Sequence, residues 1–178
     1  MTDLELANKC REQDREAQQL LFDRHSRLMM TVCLRYADDR QEAEDMLQEG
    51  FIKVFKHIDQ YTGKGALGGW IRKVMVNTAL NYIRQHKHHR RLADVELAEG
   101  IESEDTDAIE NMSADDLVKL ISQMPTGYKT VFNLFAIEGY SHGEIATSLG
   151  ISESTSKTQF LKARNWLTKK LVLSEKIE

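Results

Sequence analysis

The stretch from Tyr140 to Lys170 constrains this chain most, because it has the pattern of two helices joined by a tight turn. Ser141 precedes Glu144 by three residues, which is the spacing of a capping box at the start of a helix. Gly150 ends that helix, since glycine adopts the left-handed conformation with the least strain. Ser152 is then placed to cap a second, longer helix. The stretch therefore predicts a helix-turn-helix.

The second helix of this motif has the side chains of a DNA-reading element. In a helix-turn-helix the second helix normally enters the major groove, where hydroxyls, amides and cations bind phosphates and base edges. The alternative is a surface hairpin with a solvated basic face. The absence of any acid between Ser156 and Lys170 favours DNA binding. The predicted apolar side is Phe160, Ala163, Trp166, Leu167 and Leu171. The predicted polar side is Ser154, Ser156, Lys157, Thr158, Gln159, Lys162, Arg164, Lys169 and Lys170.

Charge is segregated along the chain. Residues Ala93 to Asp116 contain ten acids and no base. Removing these ten negative charges from the formal net charge of −4 leaves +6 on the rest of the 178 residues. A single solvated surface would mix its charges more evenly, so the sequence predicts two basic modules and an acidic linker low in aromatic residues.

The remaining pattern is that of an all-α protein. The chain has one proline, Pro125, and no lasting alternation of apolar and polar residues. Helices are expected within Leu4–Ala37, over Arg40–Ile58 and over about Leu67–His89. A small domain of four helices is expected from Ser113 onward, ending in the helix-turn-helix. The expected buried side of the first segment is Leu20, Leu21, Leu28, Met29, Val32, Cys33 and Tyr36.

The helix predicted at Arg40–Ile58 has one acidic face. Acids in its first turns would suit the helix dipole, which is a structural explanation. The same acids, together with Gln48, would also suit docking of a basic partner. From the residues alone the two interpretations stand equal. The face consists of Glu42, Glu44, Asp45, Gln48 and Glu49.

The segment from Lys64 to Arg91 is basic throughout. It has seven bases and no acid, with Asn77 and Asn81 among them. Cations for phosphates and amides for base edges suit single-stranded or opened DNA. Bases also favour helix C-termini, but seven spread over a loop and a helix exceed that need. The seven bases are Lys64, Arg72, Lys73, Arg84, Lys87, Arg90 and Arg91.

Other classes of function find little support. An enzyme would need clustered acids for metals, or a nucleophile beside a base, and no such constellation occurs. His86, His88 and His89 lack the spacing of a helical zinc site, so neither a metal nor a cofactor is expected. Cys33 has the setting of a core thiol, and Cys10 lies far from it in sequence. With no apolar leader at the N-terminus, a reducing cytoplasm is the expected location.

Two blocks of sequence, the first made of two stretches and the second of one, resemble bacterial RNA polymerase sigma factors. EAEDMLQEGFIKVFKHID (Glu42–Asp59) and GGWIRKVMVNTALNYIRQHKHHRR (Gly68–Arg91) are similar to sigma region two. QMPTGYKTVFNLFAIEGYSHGEIATSLGISESTSKTQFLKARNWL (Gln123–Leu167) is similar to sigma region four. Both blocks occur in order with a short linker between them. This arrangement resembles the extracytoplasmic-function (ECF, group IV) class, with region two at 1–92, the acidic linker at 93–112 and region four at 113–178.

The resemblance implies a role for each surface. The face bearing Glu42, Asp45, Gln48 and Glu49 would dock on the coiled coil of the largest subunit of core RNA polymerase. Bases of the melted downstream (minus-ten) element would be bound by Asn77 and Asn81, with the loop Tyr61–Gly69. The DNA backbone would be held by Lys64, Arg72, Lys73, Arg84, Lys87, Arg90 and Arg91. The upstream (minus-35) element would be contacted by Ser154, Thr155, Lys157, Thr158, Leu161, Lys162 and Arg164.

The same resemblance implies partners and a regulator. Nucleotide addition would belong to the polymerase, and promoter DNA would be the shared ligand. An anti-sigma factor, often anchored in a membrane, would clamp both domains until a signal releases them. Ser154, Ser156, Lys157 and Gln159 depart from the usual family pattern, and Ser156 stands where an apolar residue is common. The alternative function is a stand-alone helix-turn-helix regulator of duplex DNA, which would leave the basic surface from Trp70 to Arg91 unexplained.

Overall fold

The computed structural model describes residues 1–87 and 113–175, and these residues form α-helices without a β-strand. The all-α prediction is confirmed. The chain divides into two compact units, Met1–Ile83 and Arg84–Glu178. No helix in the described ranges combines the length and the apolar character needed to cross a membrane. The α-helices are α1 (Asp3–Arg11), α2 (Arg15–Leu34), α3 (Arg40–Lys56), α4 (Leu67–Lys87), α5 (Ala114–Ser122), α6 (Thr126–Phe132), α7 (His142–Leu149) and α8 (Glu153–Glu175).

Side-chain caps start the helices of the first unit. Thr2 and Glu5 form a capping box at α1, and Asp14 accepts hydrogen bonds from two backbone N–H groups at the start of α2. Asp39 caps α3 by accepting from the N–H of Glu42 at 2.8 Å. After α3 a 3₁₀ turn, Ile58–Gln60, leads into the loop that precedes α4. Each cap satisfies N–H groups that the helix itself leaves without a partner.

The apolar stripe of α2 is narrower than the sequence suggested. Leu21 and Met29 are fully buried, but the neighbouring Leu20 and Leu28 are 37% and 56% exposed. Val32 and Cys33 are also adjacent in α2, yet both are buried. Burial along α2 therefore depends on where α1 and α3 pack against it, which the sequence of α2 alone does not show. Burial of Leu20 and Leu28 was wrongly predicted.

The second unit packs α5, α6 and α8 around one apolar cluster. Ser113 caps α5, as predicted. After α6 the helix widens into one turn of π-helix, Asn133–Ile137, in which the N–H of Glu138 donates to the carbonyl of Asn133 at 2.9 Å. Gly139 then turns the chain with φ of +77°. The cluster consists of Ile121, Met124, Tyr128, Ala163 and Leu167.

The helix-turn-helix has the local structure that its sequence predicted. The Ser141–Glu144 capping box is present at the start of α7, and Gly150 ends that helix in the left-handed conformation with φ of +66°. Ser152 caps α8, since its Oγ accepts from the N–H of Thr155 at 3.0 Å. The prediction of two helices joined at Gly150 is confirmed.

Candidate nucleic-acid interfaces

A pocket of about 300 Å³ opens in the first unit, where the end of α3, the 3₁₀ turn and the middle of α4 meet. Cations, amides and one aromatic ring share its wall. Such a mixture suits a nucleotide, because the ring can stack on a base, amides can bond to its edge and the cations can bind phosphate. We refer to it as the α4 pocket. Its lining residues are Lys53, His57, Gln60, Trp70, Lys73, Val74, Asn77, Thr78 and Asn81.

Neighbouring side chains hold two of the residues that line the α4 pocket. The buried ring of Tyr61 lies 6.1 Å from the ring of Trp70, with the two planes tilted by 49°. The hydroxyl of Tyr61 donates to the carbonyl of Gly65 at 2.7 Å. In the cationic part of the lining, the ammonium of Lys53 is 2.6 Å from the carboxylate of Glu49. The aromatic and cationic walls are thus each anchored by a neighbouring side chain.

The structure brings together part of the predicted basic surface. Lys73, Asn77 and Asn81 line one pocket, and Lys64 and Arg84 are exposed near the two ends of the segment. Arg72 is half-buried and does not line the pocket. The side chain of Lys87, and all of Arg90 and Arg91, lie outside the described residues.

Of the nine lining residues, only Lys73, Asn77 and Asn81 were predicted to contact DNA, and Trp70, Val74 and Thr78 of α4 were not. Three others come from outside the predicted segment. Lys53, His57 and Gln60 belong to the end of α3 and the following turn, whereas nucleic-acid contacts were predicted only from the loop Tyr61–Gly69 onward. Two signals were present in this segment. Lys53 and Lys56 interrupt the acidic face of α3 near its C-terminus, and the 3₁₀ turn directly precedes the glycine-rich loop.

Some side chains of the acidic face of α3 already bind neighbouring groups of the same chain. Asp45 and Gln48 are exposed, while Glu42 and Glu49 are half-buried. Glu42 accepts a hydrogen bond from the N–H of Asp38 at 2.9 Å, and Glu49 pairs with Lys53. Burial, followed by the negative charges of α3 beginning with Glu42 and Asp45, raises the pKa of Tyr82. The helix therefore presents a negative field along the flank of α4.

The α8 reading face, defined here as the seven residues predicted to contact the upstream element, is a convex surface. Leu161 is 55% exposed among polar neighbours. Ser152 Oγ lies 2.9 Å from Ser154 Oγ and 2.7 Å from Thr155 Oγ1, so the first turn is ordered by hydroxyls. Lys162 is half-buried. The exposed members are Ser154, Thr155, Lys157, Thr158, Leu161 and Arg164.

Two residues predicted to lie on the polar side of α8 are buried instead. Ser156 is 0% exposed and Gln159 is 8% exposed. Ser156 Oγ lies 2.9 Å from Nδ1 of His142, whose ring stacks on Phe135 at 4.3 Å. Ser156 stands four residues before Phe160 and seven before Ala163, so helical spacing places it on the packed side. Because serine is a polar residue, the burial of Ser156 was not recognised in the sequence.

Two family models match this chain, each on one of its basic modules. The Sigma-70 region 2 model covers residues 21–89, and the Sigma-70 region 4 model covers residues 114–167. The first match spans the acidic face and the α4 pocket, and the second spans the α8 reading face. The chain belongs to the sigma-70 family.

Curated relatives place this sigma factor in the ECF class. The ECF RNA polymerase sigma-E factor of Haemophilus influenzae is 28% identical, with 96% of each chain covered. The RNA polymerase sigma-H factor of Pseudomonas aeruginosa is 27% identical over 95% of this chain and 93% of the relative. The sigma-E factor of Escherichia coli K12 is 25% identical over 96% and 95%. Our protein is an RNA polymerase sigma factor of the ECF type, and a stand-alone regulator is not favoured.

Solved structures support the fold. The sigma factor RpoE of Bartonella quintana, solved with the anti-sigma factor NepR, matches with a TM-score of 0.50 and 17% identity over 86% of this chain and 95% of that chain. CnrH, solved with the cytosolic domain of CnrY, matches with a TM-score of 0.50 and 22% identity over 96% and 97%. At these identities the likeness concerns the helical fold of the sigma factor.

Proposed function

We propose that the two units of this sigma factor divide promoter recognition between a pocket and a helix. The first predicted domain, residues 1–92, binds the melted downstream element and the polymerase. The second predicted domain, residues 113–178, reads the duplex upstream, and residues 93–112 join the two. The observation that carries the proposal is the α4 pocket, where Asn77, Asn81 and Trp70 meet Lys53 and Lys73.

In the pocket, an unstacked base of the downstream element would gain contacts with the protein that compensate for the stacking and pairing it loses. Removing a base from a duplex costs a few kcal/mol, so the protein must offer compensating contacts. Trp70 supplies an aromatic ring, and Asn77 and Asn81 supply amides that both donate and accept. Lys53, Lys73 and the exposed Lys64 supply charge for the backbone on either side of the base. Arg72, Arg84, Lys87, Arg90 and Arg91 extend this basic path.

The acidic face of α3 would dock on the coiled coil of the largest polymerase subunit. Asp45 and Gln48 are exposed, and the half-buried Glu42 and Glu49 add charge beside them. Such a face steers a basic partner and fixes its orientation more than it adds affinity. Glu49 also pairs with Lys53 in the pocket wall, so docking and base binding would meet at one ion pair.

The α8 reading face would enter the major groove of the upstream element. Lys157, Leu161 and Lys162 lie along one side of the helix, as residues that read base edges must. Ser154, Thr155, Thr158 and Arg164 would serve phosphates and neighbouring edges. Because lysine lacks the planar fork of arginine, this helix would discriminate guanine less sharply than an arginine-bearing one.

The finer points of the assignment concern partners and place. The protein would have no catalytic residue, and nucleotide addition would belong to core polymerase. It would act in the cytoplasm. An anti-sigma factor, membrane-anchored in some systems, would bind it at rest, in keeping with the complexes solved for RpoE and CnrH.

The test is a run-off transcription assay on sheared genomic DNA, with purified core polymerase from the source bacterium in the presence and absence of this chain. Discrete transcription starts that require the protein, with shared sequences upstream of them, are expected. The double variant Asn77→Ala, Asn81→Ala should then lose starts while still binding core polymerase. Tight operator binding by the chain alone, without new starts, would instead indicate a stand-alone regulator.

A further inference from the structure

The first twenty residues lie outside the region-two match, yet α1 makes contacts at both ends of the loop that precedes the α4 pocket. This loop, residues 61–66, joins the 3₁₀ turn to α4, and we call it the pocket loop. The contacts come from Asp3, Leu4 and Arg11, which we call the α1 strap. Asp3 and Arg11 are separated in sequence from their partners by 47 to 64 residues.

At the entrance of the pocket loop, Arg11 binds three backbone carbonyls. Its Nε donates to the carbonyl of Ile58 at 3.3 Å, and its Nη2 donates to that of Asp59 at 3.5 Å. Nη2 also donates to the carbonyl of Tyr61 in a short hydrogen bond. A guanidinium is a planar fork of donors, so one side chain can fix several carbonyls at once. These carbonyls belong to the turn that carries Gln60 into the pocket.

At the exit of the pocket loop, Asp3 binds the start of α4. Its Oδ2 accepts from the N–H of Leu67 at 2.9 Å, and its Oδ1 lies 3.8 Å from a nitrogen of Arg24. A carboxylate at a helix N-terminus is stabilised both by the free N–H group and by the helix dipole. Asp3 thereby sets where α4 begins, and Trp70 follows Leu67 by one helical turn.

Between the two ends, the strap leaves the loop little freedom. The side chain of Leu4 lies so close to Gly63 that an added Cβ would come within 3.2 Å of it, and Gly63 has φ of +79°. Tyr61 closes the loop on Gly65 and packs its ring toward Trp70. The contacts therefore run from α1 through the loop backbone to the aromatic wall of the α4 pocket.

We propose that α1 is a positioning element for promoter opening, in which Arg11 and Asp3 fix the pocket loop and so hold Gln60 and Trp70, on either side of it, in the wall that receives the unstacked base. The role rests on the proposed function of the α4 pocket. A loop held beforehand loses less conformational freedom on binding than a loop that must be ordered by DNA. The strap residues need not touch DNA themselves.

The primary test compares Arg11→Ala with Arg15→Ala, an exposed arginine at the start of α2 that loses the same charge. Each full-length variant is assembled with core polymerase, and a fluorescent single strand carrying the downstream element from the run-off assay is titrated. Arg11→Ala should weaken binding of the strand by roughly tenfold, since hydrogen bonds from a charged group are among the stronger ones. Arg15→Ala should leave it unchanged. Arg11→Lys should restore only part of the loss, because an ammonium cannot reproduce the fork.

A second readout separates positioning from loss of the fold. In the Arg11→Ala protein, hydrogen exchange should accelerate at the backbone amides of the pocket loop and at Leu67, while amides of α3 keep their protection. Should Arg11→Ala fail to fold, Asp3→Ala replaces it, since Asp3 acts at the other end of the loop. Asp3→Asn is its conservative partner, and it keeps an oxygen for the N–H of Leu67.

Strand binding by the Arg11 and Asn81 variants tests the role of the strap separately from that of the pocket. Weak strand binding by both Asn81→Ala and Arg11→Ala, with faster loop exchange in the latter, supports both assignments. Weak binding by Asn81→Ala with normal binding by Arg11→Ala overturns the strap alone. Normal binding by Asn81→Ala overturns the proposed function and, with it, the role of the strap in opening.

Discussion

The α4 pocket and the α8 reading face differ in how they are built. The pocket is concave and draws its lining from α3, a 3₁₀ turn and α4, with contacts from Tyr61 behind it. The reading face is convex, belongs to one helix and is ordered by hydrogen bonds between near neighbours such as Ser152 and Thr155. An unstacked base needs a cavity prepared on several sides, whereas the edges of a duplex can be reached by one protruding helix.

The largest effect is expected at the pocket. In the double variant Asn77→Ala, Asn81→Ala, the amides that would bond to the unstacked base are absent, and each such contact is worth about 1–3 kcal/mol. Formation of the open promoter complex should fall by roughly a hundredfold. Permanganate reactivity of melted thymines measures opening, and footprinting at low temperature measures the closed complex.

The closed complex is the internal control for this variant, because it should form normally when only base binding is impaired. Gln85→Ala is the matched surface control, since Gln85 is exposed on the same helix and does not line the pocket. Normal permanganate reactivity in the double variant would contradict the assigned role.

On the reading face, Lys157→Ala and Lys162→Ala should each weaken binding to the upstream element. The loss is about 1–3 kcal/mol with a change in base preference when the lysine reads a base. For a phosphate contact the loss is uniform across sequences, and the salt dependence becomes shallower. Lys170→Ala, which removes the same charge near the other end of α8, is the control. Unchanged affinity for the upstream element, together with unchanged promoter preference, in both variants would contradict the assignment of the reading face.

A smaller effect is expected for the cap of the helix-turn-helix. Ser141→Ala removes the side chain that accepts from the N–H of Glu144, and it should lower the free energy of unfolding of the second unit by about 1 kcal/mol. Chemical denaturation followed by circular dichroism checks this. Thr147→Ala, in the interior of the same helix, is the control, because loss of its hydroxyl removes no cap. Equal loss of stability in both variants would argue against the cap.

The smallest effect concerns Glu153, which neutralises Lys157 at a distance of 2.9 Å. Glu153→Gln frees Lys157 and removes a negative charge near DNA, so binding should strengthen roughly twofold at low salt and less at high salt. Hydrogen bonding by Lys157 lowers the pKa of Glu153 from its ordinary value of 4.5, so the carboxylate stays charged at neutral pH. The gain should therefore be constant between about pH 6 and 8, and a gain that varies there would indicate another titrating group.

The features that could be predicted from the sequence also differ between the α4 pocket and the helix-turn-helix. Local signals such as the Ser141–Glu144 box, Gly150 and the Ser113 cap are each carried by a few adjacent residues, and the structure confirms them. The proposed reading face could be delimited in the sequence because one helix contains all of it. Ser156 was misplaced because residue type was given more weight than helical spacing.

The pocket was only half predictable. Asn77 and Asn81 lie in a helix rich in bases, which indicates contacts with nucleic acid. Lys53, His57 and Gln60 come close to them only in the folded chain. The role of the strap residues could not be predicted from sequence patterns, because Arg11 and its carbonyl partners are 47 to 50 residues apart. Backbone carbonyls carry no residue identity, so no sequence pattern predicts which arginine binds them.

The π-helical turn at Asn133–Ile137 has a consequence for how insertions and deletions would act in this family. A π-turn accommodates one residue more than an α-turn, and one residue corresponds to about 100° of helical phase. Deleting one residue here would let the segment close into regular α-helix, and Gly139 and the capping box of α7 would keep nearly the same direction. The same deletion within α8, which is regular α-helix, would shift every later residue by about 100°. The π-turn is thus a place where a single lost codon leaves the aim of the reading helix nearly unchanged.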